Sequence, residues 1–179
     1  MRFYALAIGE KNPDFISHSI QEYLSHKHGL PVDWSHCAIE VEGSAFHDGI
    51  WDSTGRGFEW CPKGLALEDG KSVVRHRTPL PVKEQQVALG WLLGNRGRAY
   101  SNLQYALYIL PMWLQKILAS ILPKFVRHWF ANGRASAVCS ESVYYFIRDN
   151  CAGAENWPED GDRVDPYQVI MNAYRLGDI

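Results

Sequence analysis

The spacing of the apolar residues changes near the middle of this chain, and nothing else in the sequence constrains its fold as strongly. Short runs of two-residue alternation fill most of the first half, whereas longer runs at helical spacing dominate the second. Strands grouped early and helices grouped late do not supply the repeated strand–helix–strand crossovers of a parallel sheet. The expected class is therefore α+β, a small antiparallel sheet packed against helices. At 179 residues the chain has the length of one ordinary domain, so residues 1–179 are read as a single domain around one core.

Arg2 to Gly9 carries Phe3, Tyr4, Leu6 and Ile8 in weak alternation and reads as a first strand. An Asn12-Pro13-Asp14 turn leads into Phe15 to His28, where Phe15, Ile16, Ile20, Tyr23 and Leu24 recur at helical spacing before Gly29 and Pro31 end the run. Cys37, Ile39 and Val41 then alternate with Ala38 and Glu40. Gly43-Ser44 offers a turn, and Ile50 to Thr54 returns as the second strand of a hairpin, followed by a bend at Gly55-Arg56-Gly57. Ser72 to Arg77 is a further strand with exposed basic residues, separated by Pro79-Leu80-Pro81 from a helix over Glu84 to Leu93. Later helices are expected from Tyr100 to about Leu122, around Phe125 to Phe130, from Cys139 to Asn150 and from Pro166 to Arg175.

Lys and Arg number 18 against 20 Asp and Glu, a formal net charge of -2, so a phosphate backbone has no general attraction for this chain and nucleic acid is not an expected partner. The four cysteines, Cys37, Cys61, Cys139 and Cys151, include no C-x-x-C pair, and no phosphate-binding G-x-x-x-x-G-K or zinc-binding H-E-x-x-H motif occurs. No cofactor or metal is therefore expected; His26-x-His28 alone is a weak metal signal. The amino terminus lacks a basic segment followed by an apolar run, which favours a cytoplasmic protein. Leu103 to Leu122 is the most apolar stretch, but Gln104, Pro111, Gln115 and Lys116 break it too often for a membrane span. Residues 103–134 are read as an apolar helical insertion. It either packs on the sheet or, with Lys116, Lys124, Arg127 and Arg134 nearby, offers a surface for peripheral membrane or lipid contact.

The residue type most suggestive of chemistry is Cys139. Small residues run up to it and an amphipathic helix begins at or beside it; the unpaired N–H groups and partial positive charge of a helix start favour thiolate over thiol. A thiolate nucleophile needs a base, for which seven histidines compete. His18, His26 and His28 lie on or just after a polar helix face, His76 in a basic strand and His128 in a basic cluster, and all five read as solvated. His36 differs, being a polar ring at the entry of a strand that otherwise reads as core. The group that orients its imidazole belongs on the neighbouring strand, where Asp52 and Ser53 point to opposite faces, so at most one of them serves. Asp52 is preferred, because a carboxylate stabilises imidazolium more strongly, with His47 a weaker third candidate.

Four strings carry a family resemblance: Ser35-His36-Cys37-Ala38-Ile39-Glu40-Val41, Ile50-Trp51-Asp52-Ser53-Thr54-Gly55-Arg56-Gly57, Gly97-Arg98-Ala99-Tyr100 and Val138-Cys139-Ser140-Glu141-Ser142-Val143. With them the chain resembles the circularly permuted papain-fold amidases, the YiiX/YaeF-like relatives of NlpC-type peptidases and of the lecithin:retinol acyltransferase group. In that family the catalytic His opens a strand, a polar residue follows on the next strand, and the Cys comes last at a helix start. The resemblance implies a permuted papain-like fold with Cys139 as nucleophile, His36 as base and Asp52 as orienting residue. Tyr100, Ser53 and Glu141 become pocket residues, Tyr100 helping to hold the oxyanion. Glu141 is equally accounted for as a first-turn acid that favours the helix dipole. The implied activity is that of a cysteine hydrolase cleaving a peptide or acyl-amide bond, cell-wall peptides included, through an acyl-enzyme thioester. Two alternatives stand beside it: a lipid acyl hydrolase or acyltransferase using the same Cys–His pair, and a non-catalytic binding or inhibitor protein that retains the fold. The stretch from Leu107 to Arg134 departs from the family pattern in being longer and more apolar.

Overall fold

Alternation in the first half of the chain yields five strands, β1 (Arg2–Glu10), β2 (His36–Glu42), β3 (Gly49–Thr54), β4 (Gly57–Cys61) and β5 (Ser72–Pro79). In a computed structural model, which describes residues 1–54, 56–67, 71–100, 136–137, 139–157 and 164–177, they form one antiparallel sheet in the order β4-β3-β2-β1-β5. The architecture is α+β. β1 lies inside the sheet, with Phe3 opposite Val41 and Ala7 opposite Cys37. Its alternation is weak because both of its faces are buried: Phe3, Ala5 and Ala7 join the main core, while Tyr4, Leu6 and Ile8 join a smaller cluster with Ala38 and Ile50.

Helices cover the two faces unequally. α1 (Phe15–His28) starts at Asp14, whose carboxylate accepts the Ser17 N–H at 2.7 Å, and ends at Gly29, held at φ 68° with its N–H on the Ser25 carbonyl at 2.9 Å. α2 (Lys63–Leu67) supplies Ala66 and Leu67 to the smaller cluster. α3 (Gln85–Gly94), α4 (Cys139–Asn150) and α5 (Pro166–Gly177) contribute to the main core. α4 is buried along most of its length. Its Phe146 ring, fully buried, has its centroid 5.6 Å from both Phe3 and Trp91, which fixes the helix between sheet and α3. Burying such a side chain contributes about 1.5–3 kcal/mol.

Several expectations need correction. Gly57 to Cys61 forms a strand and Lys63 to Leu67 a helix that the residue pattern did not announce. Tyr100 does not open a helix; it belongs to β6 (Ala99–Tyr100), which pairs in parallel with β7 (Ser136–Ala137). His28 is not simply solvated. Its Nε2 lies 3.0 Å from Asp165 Oδ2 and its ring stacks on Tyr167, with centroids 4.2 Å apart. The helices expected at 101–122 and 125–130, the insertion at 103–134 and His128 lie outside the described residues. No described helix is long and apolar enough to cross a membrane.

Candidate functional site

β2 and β3 settle which of two neighbouring residues faces His36. Ile39 pairs with Trp51 and Glu40 with Ile50, so His36, Ala38, Ile50 and Asp52 share one face of the sheet, and Cys37, Ile39, Trp51 and Ser53 share the other. The Nε2–H of His36 donates to Asp52 Oδ1 at 2.5 Å, and the two side chains remain 28% and 22% exposed. Ser53 faces away. Its hydroxyl sits 2.6 Å from that of Ser142 on α4, with both residues buried. His47 lies in the turn joining β2 to β3, at the opposite end of the hairpin from His36 and roughly 20 Å away at about 3.4 Å per residue, so it cannot orient that ring.

α4 begins at Cys139, which is 7% exposed and packs in the same core cluster as Cys37. The Cys139 thiol is held well below the ordinary cysteine range. A hydrogen bond from the Cys37 thiol acts most strongly, burial opposes it, and the charge and N–H of His36 and the backbone N–H of Cys37 add to the lowering. For His36, burial alone would depress the imidazole. The Asp52 carboxylate and the Cys139 sulfur overcome it and hold the ring well above its usual value. With Nε2 taken by Asp52, Nδ1 is the ring nitrogen left for the sulfur. The arrangement favours a thiolate–imidazolium pair. Burial raises Cys37 well above the usual range and pushes Cys151 up to about 12, so these two are poor nucleophiles.

Three further residues were expected at this place. The Tyr100 backbone is brought opposite Ala137, two positions before Cys139. That approach depends on Gly57: Phe58 N–H donates to the Arg98 carbonyl at 2.9 Å and Gly97 N–H to that of Phe58 at 2.8 Å. Glu141 is 0% exposed in the first turn of α4, so it lies within the core and does not line an open pocket. Ser53 ties β3 to α4 and is not the partner of His36. Cys37 is the residue missed. Its place beside His36 on an alternating strand was visible, but which helix would cover its face was not.

Among the described residues no group of three His, Cys, Asp or Glu side chains is placed to hold a metal ion. The family resemblance therefore has only these geometric relations to be weighed against, since no protein family, curated protein or solved structure matches the chain.

Proposed function

We propose that this protein is a cysteine hydrolase of the permuted papain-like kind, cleaving an amide bond in a peptide or amino-acyl amide, cell-wall peptides included. The observation that carries the reading is a lowered Cys139 thiol at a helix start beside a raised His36 ring whose far nitrogen is held by Asp52. The order of these residues in the chain, His on a strand, carboxylate on the next strand, Cys late, supports the permuted form.

The Cys139 thiolate attacks the amide carbonyl carbon, and the carbonyl π electrons move to oxygen. Backbone N–H groups at the start of α4, that of Cys139 first among them, stabilise the oxyanion, with the Tyr100 hydroxyl as the second donor that the resemblance implies. The tetrahedral intermediate collapses as His36 gives its proton to the leaving amine, which leaves a thioester on Cys139. His36, now neutral, takes a proton from water, whose oxygen attacks the thioester. The acid product departs and the thiolate–imidazolium pair is restored. Asp52 keeps one imidazole nitrogen occupied and stabilises the charged ring throughout.

The decisive variant is Cys139→Ala. It should remove turnover of amide substrates while leaving the thermal unfolding midpoint within a few degrees of the parent, since a small side chain is lost. Full hydrolytic activity in this variant would overturn the nucleophile assignment. Iodoacetamide separates the non-catalytic alternative: the reading expects Cys139 to alkylate below pH 7 far faster than Cys37, Cys61 or Cys151. The lipid alternative uses the same residues and requires binding to liposomes, read by sedimentation.

A further inference from the structure

Two thiols far apart in the chain, Cys37 and Cys139, are brought together by the fold. Cys37 shares its face of the sheet with Ile39, Trp51 and Ser53, and both cysteines belong to the main core cluster. The β2–β3 register, continued past the Ile39–Trp51 pair, sets Ser53 across from Cys37. The Ser53 hydroxyl is 2.6 Å from that of Ser142, which stands three residues after Cys139 on the same side of α4. The start of α4 is thereby laid over the start of β2, and the Cys37 thiol donates to the Cys139 sulfur. Neither sulfur is in a disulfide.

The other two thiols have no such neighbour. Cys151 lies just past the far end of α4, about 18 Å from Cys139 at a rise of about 1.5 Å per residue. Cys61 pairs with Ile50, which puts its side chain on the opposite face of the sheet from Cys37. A disulfide needs Cα atoms within about 7 Å and Cβ atoms turned toward each other. Cys151 fails on reach and Cys61 on direction.

Cys37 and Cys139 also differ as a reactive and a resolving thiol must. Cys139, at a helix start beside the raised His36 ring, is drawn toward thiolate and keeps 7% of its surface exposed, whereas Cys37 is fully buried and held as thiol. The first meets a small oxidant; the second meets only what the first becomes.

We propose that Cys37 and Cys139 form a redox switch in which hydrogen peroxide oxidises Cys139 and Cys37 resolves the product as a reversible Cys37–Cys139 disulfide. The Cys139 sulfur attacks one peroxide oxygen and the O–O bond breaks. The departing hydroxide takes the His36 proton and leaves as water, with a sulfenic acid on Cys139. The Cys37 sulfur then attacks the Cys139 sulfur, the S–O bond breaks, and the second hydroxide leaves with the Cys37 proton as water. The two cysteines lose two electrons and the peroxide gains them. A dithiol reductant restores both thiols. The disulfide ties up the proposed nucleophile, so the oxidised chain is inactive; that consequence rests on the hydrolase reading, whereas formation of the bond does not.

The test uses the full reduced chain, treated with a small molar excess of hydrogen peroxide at neutral pH, alkylated in denaturant and mapped by mass spectrometry without reduction. The expected product has lost two hydrogens, joins the Cys37 peptide to that of Cys139 and carries alkylated Cys61 and Cys151. Peroxide should consume Cys139 at least about tenfold faster than Cys61, and dithiothreitol should return both thiols of the pair. Cys37→Ser should stop at a Cys139 sulfenic acid that dimedone traps and that excess peroxide drives to sulfinic acid, which dithiothreitol does not reverse. If that variant fails to fold, the map of the parent chain still decides. Sulfinic acid on Cys139 of the parent with Cys37 still free, a linkage to Cys61 or Cys151, or an unmodified Cys139 would overturn the switch. Because the map reads sulfur and not turnover, its failure is distinct from failure of the hydrolase reading, which the Cys139→Ala assay reports.

Discussion

Cys37 forms no bond to substrate in the proposed reaction, yet its thiol is the largest influence drawing Cys139 toward thiolate. Cys37→Ala should therefore raise the pH midpoint of Cys139 alkylation. Cys37→Ser, which keeps a donor, should raise it less, and identical profiles for the two variants would show that the donor does not matter. His36 acts on the same midpoint. Cys139, being lowered, is thiolate above its depressed value; His36, being raised, is imidazolium below its elevated one. Hydrolysis should hold a plateau between those limits, because below the lower one the proton returns to sulfur and above the upper one the general acid is lost; alkylation, which needs only the thiolate, should fall below the lower limit and not above the upper one. The stability that the pair contributes follows the same signs. The His36 part is full below the ordinary imidazole pKa and fades as pH rises through the raised value, whereas the Cys139 part is full above the ordinary thiol pKa and fades as pH falls through the lowered one. His36→Ala should cut the Cys139 labelling rate at about pH 6 by about tenfold for each unit the thiol recovers. A labelling rate unchanged by that substitution would count against the pairing.

Between elements, two contacts hold the site in place. The Ser53–Ser142 hydrogen bond joins β3 to α4 inside the core. Ser142→Ala leaves the Ser53 hydroxyl buried without its partner and should cost about 1–3 kcal/mol in urea unfolding, with Cys139 labelling within about twofold of the parent because no charge near the sulfur changes. Gly57 is the other. It sits at φ +110°, and a Cβ there would stand 2.8 Å from the Arg98 carbonyl oxygen. Gly57→Ala should destabilise the chain by roughly 1–3 kcal/mol and loosen the link from β4 to β6 that brings Tyr100 opposite Ala137. Chemical denaturation measures the first effect; amide exchange at Phe58, whose N–H is bonded to Arg98, measures the second.

Across the whole molecule the four cysteines form a graded probe of folding. Cys37 and Cys151 are both 0% exposed, Cys61 is half-buried, and none is in a disulfide. In native buffer Cys37 and Cys151 should stay unlabelled, and in urea both should become reactive in one transition that coincides with loss of tryptophan fluorescence. Separate transitions would mean that the sheet and the α4 end of the core open independently. Phe146→Ala, which removes the ring packed against Phe3 and Trp91, should shift that transition by about 3–5 kcal/mol.

Much of this was legible in the residues. The α1 and α4 spans, the β2–β3 hairpin, the opposite facing of Asp52 and Ser53, and the candidacy of Cys139 and His36 follow from spacing, caps and alternation, which act over a few positions. The strand at Gly57 to Cys61 was hidden because it is short and opens with Gly; the burial of Glu141 and the partner of His28 were hidden because each depends on what packs from elsewhere in the chain. The sequence by itself determined the α+β class and which side chains share a strand face, since backbone geometry makes those properties local. Only the tertiary structure decided that β1 is an interior strand and that a thiol at position 139 rests against residues 36 and 37. Those meetings come from helices and strands burying apolar faces against each other across a hundred positions, and no short-range pattern encodes which faces meet.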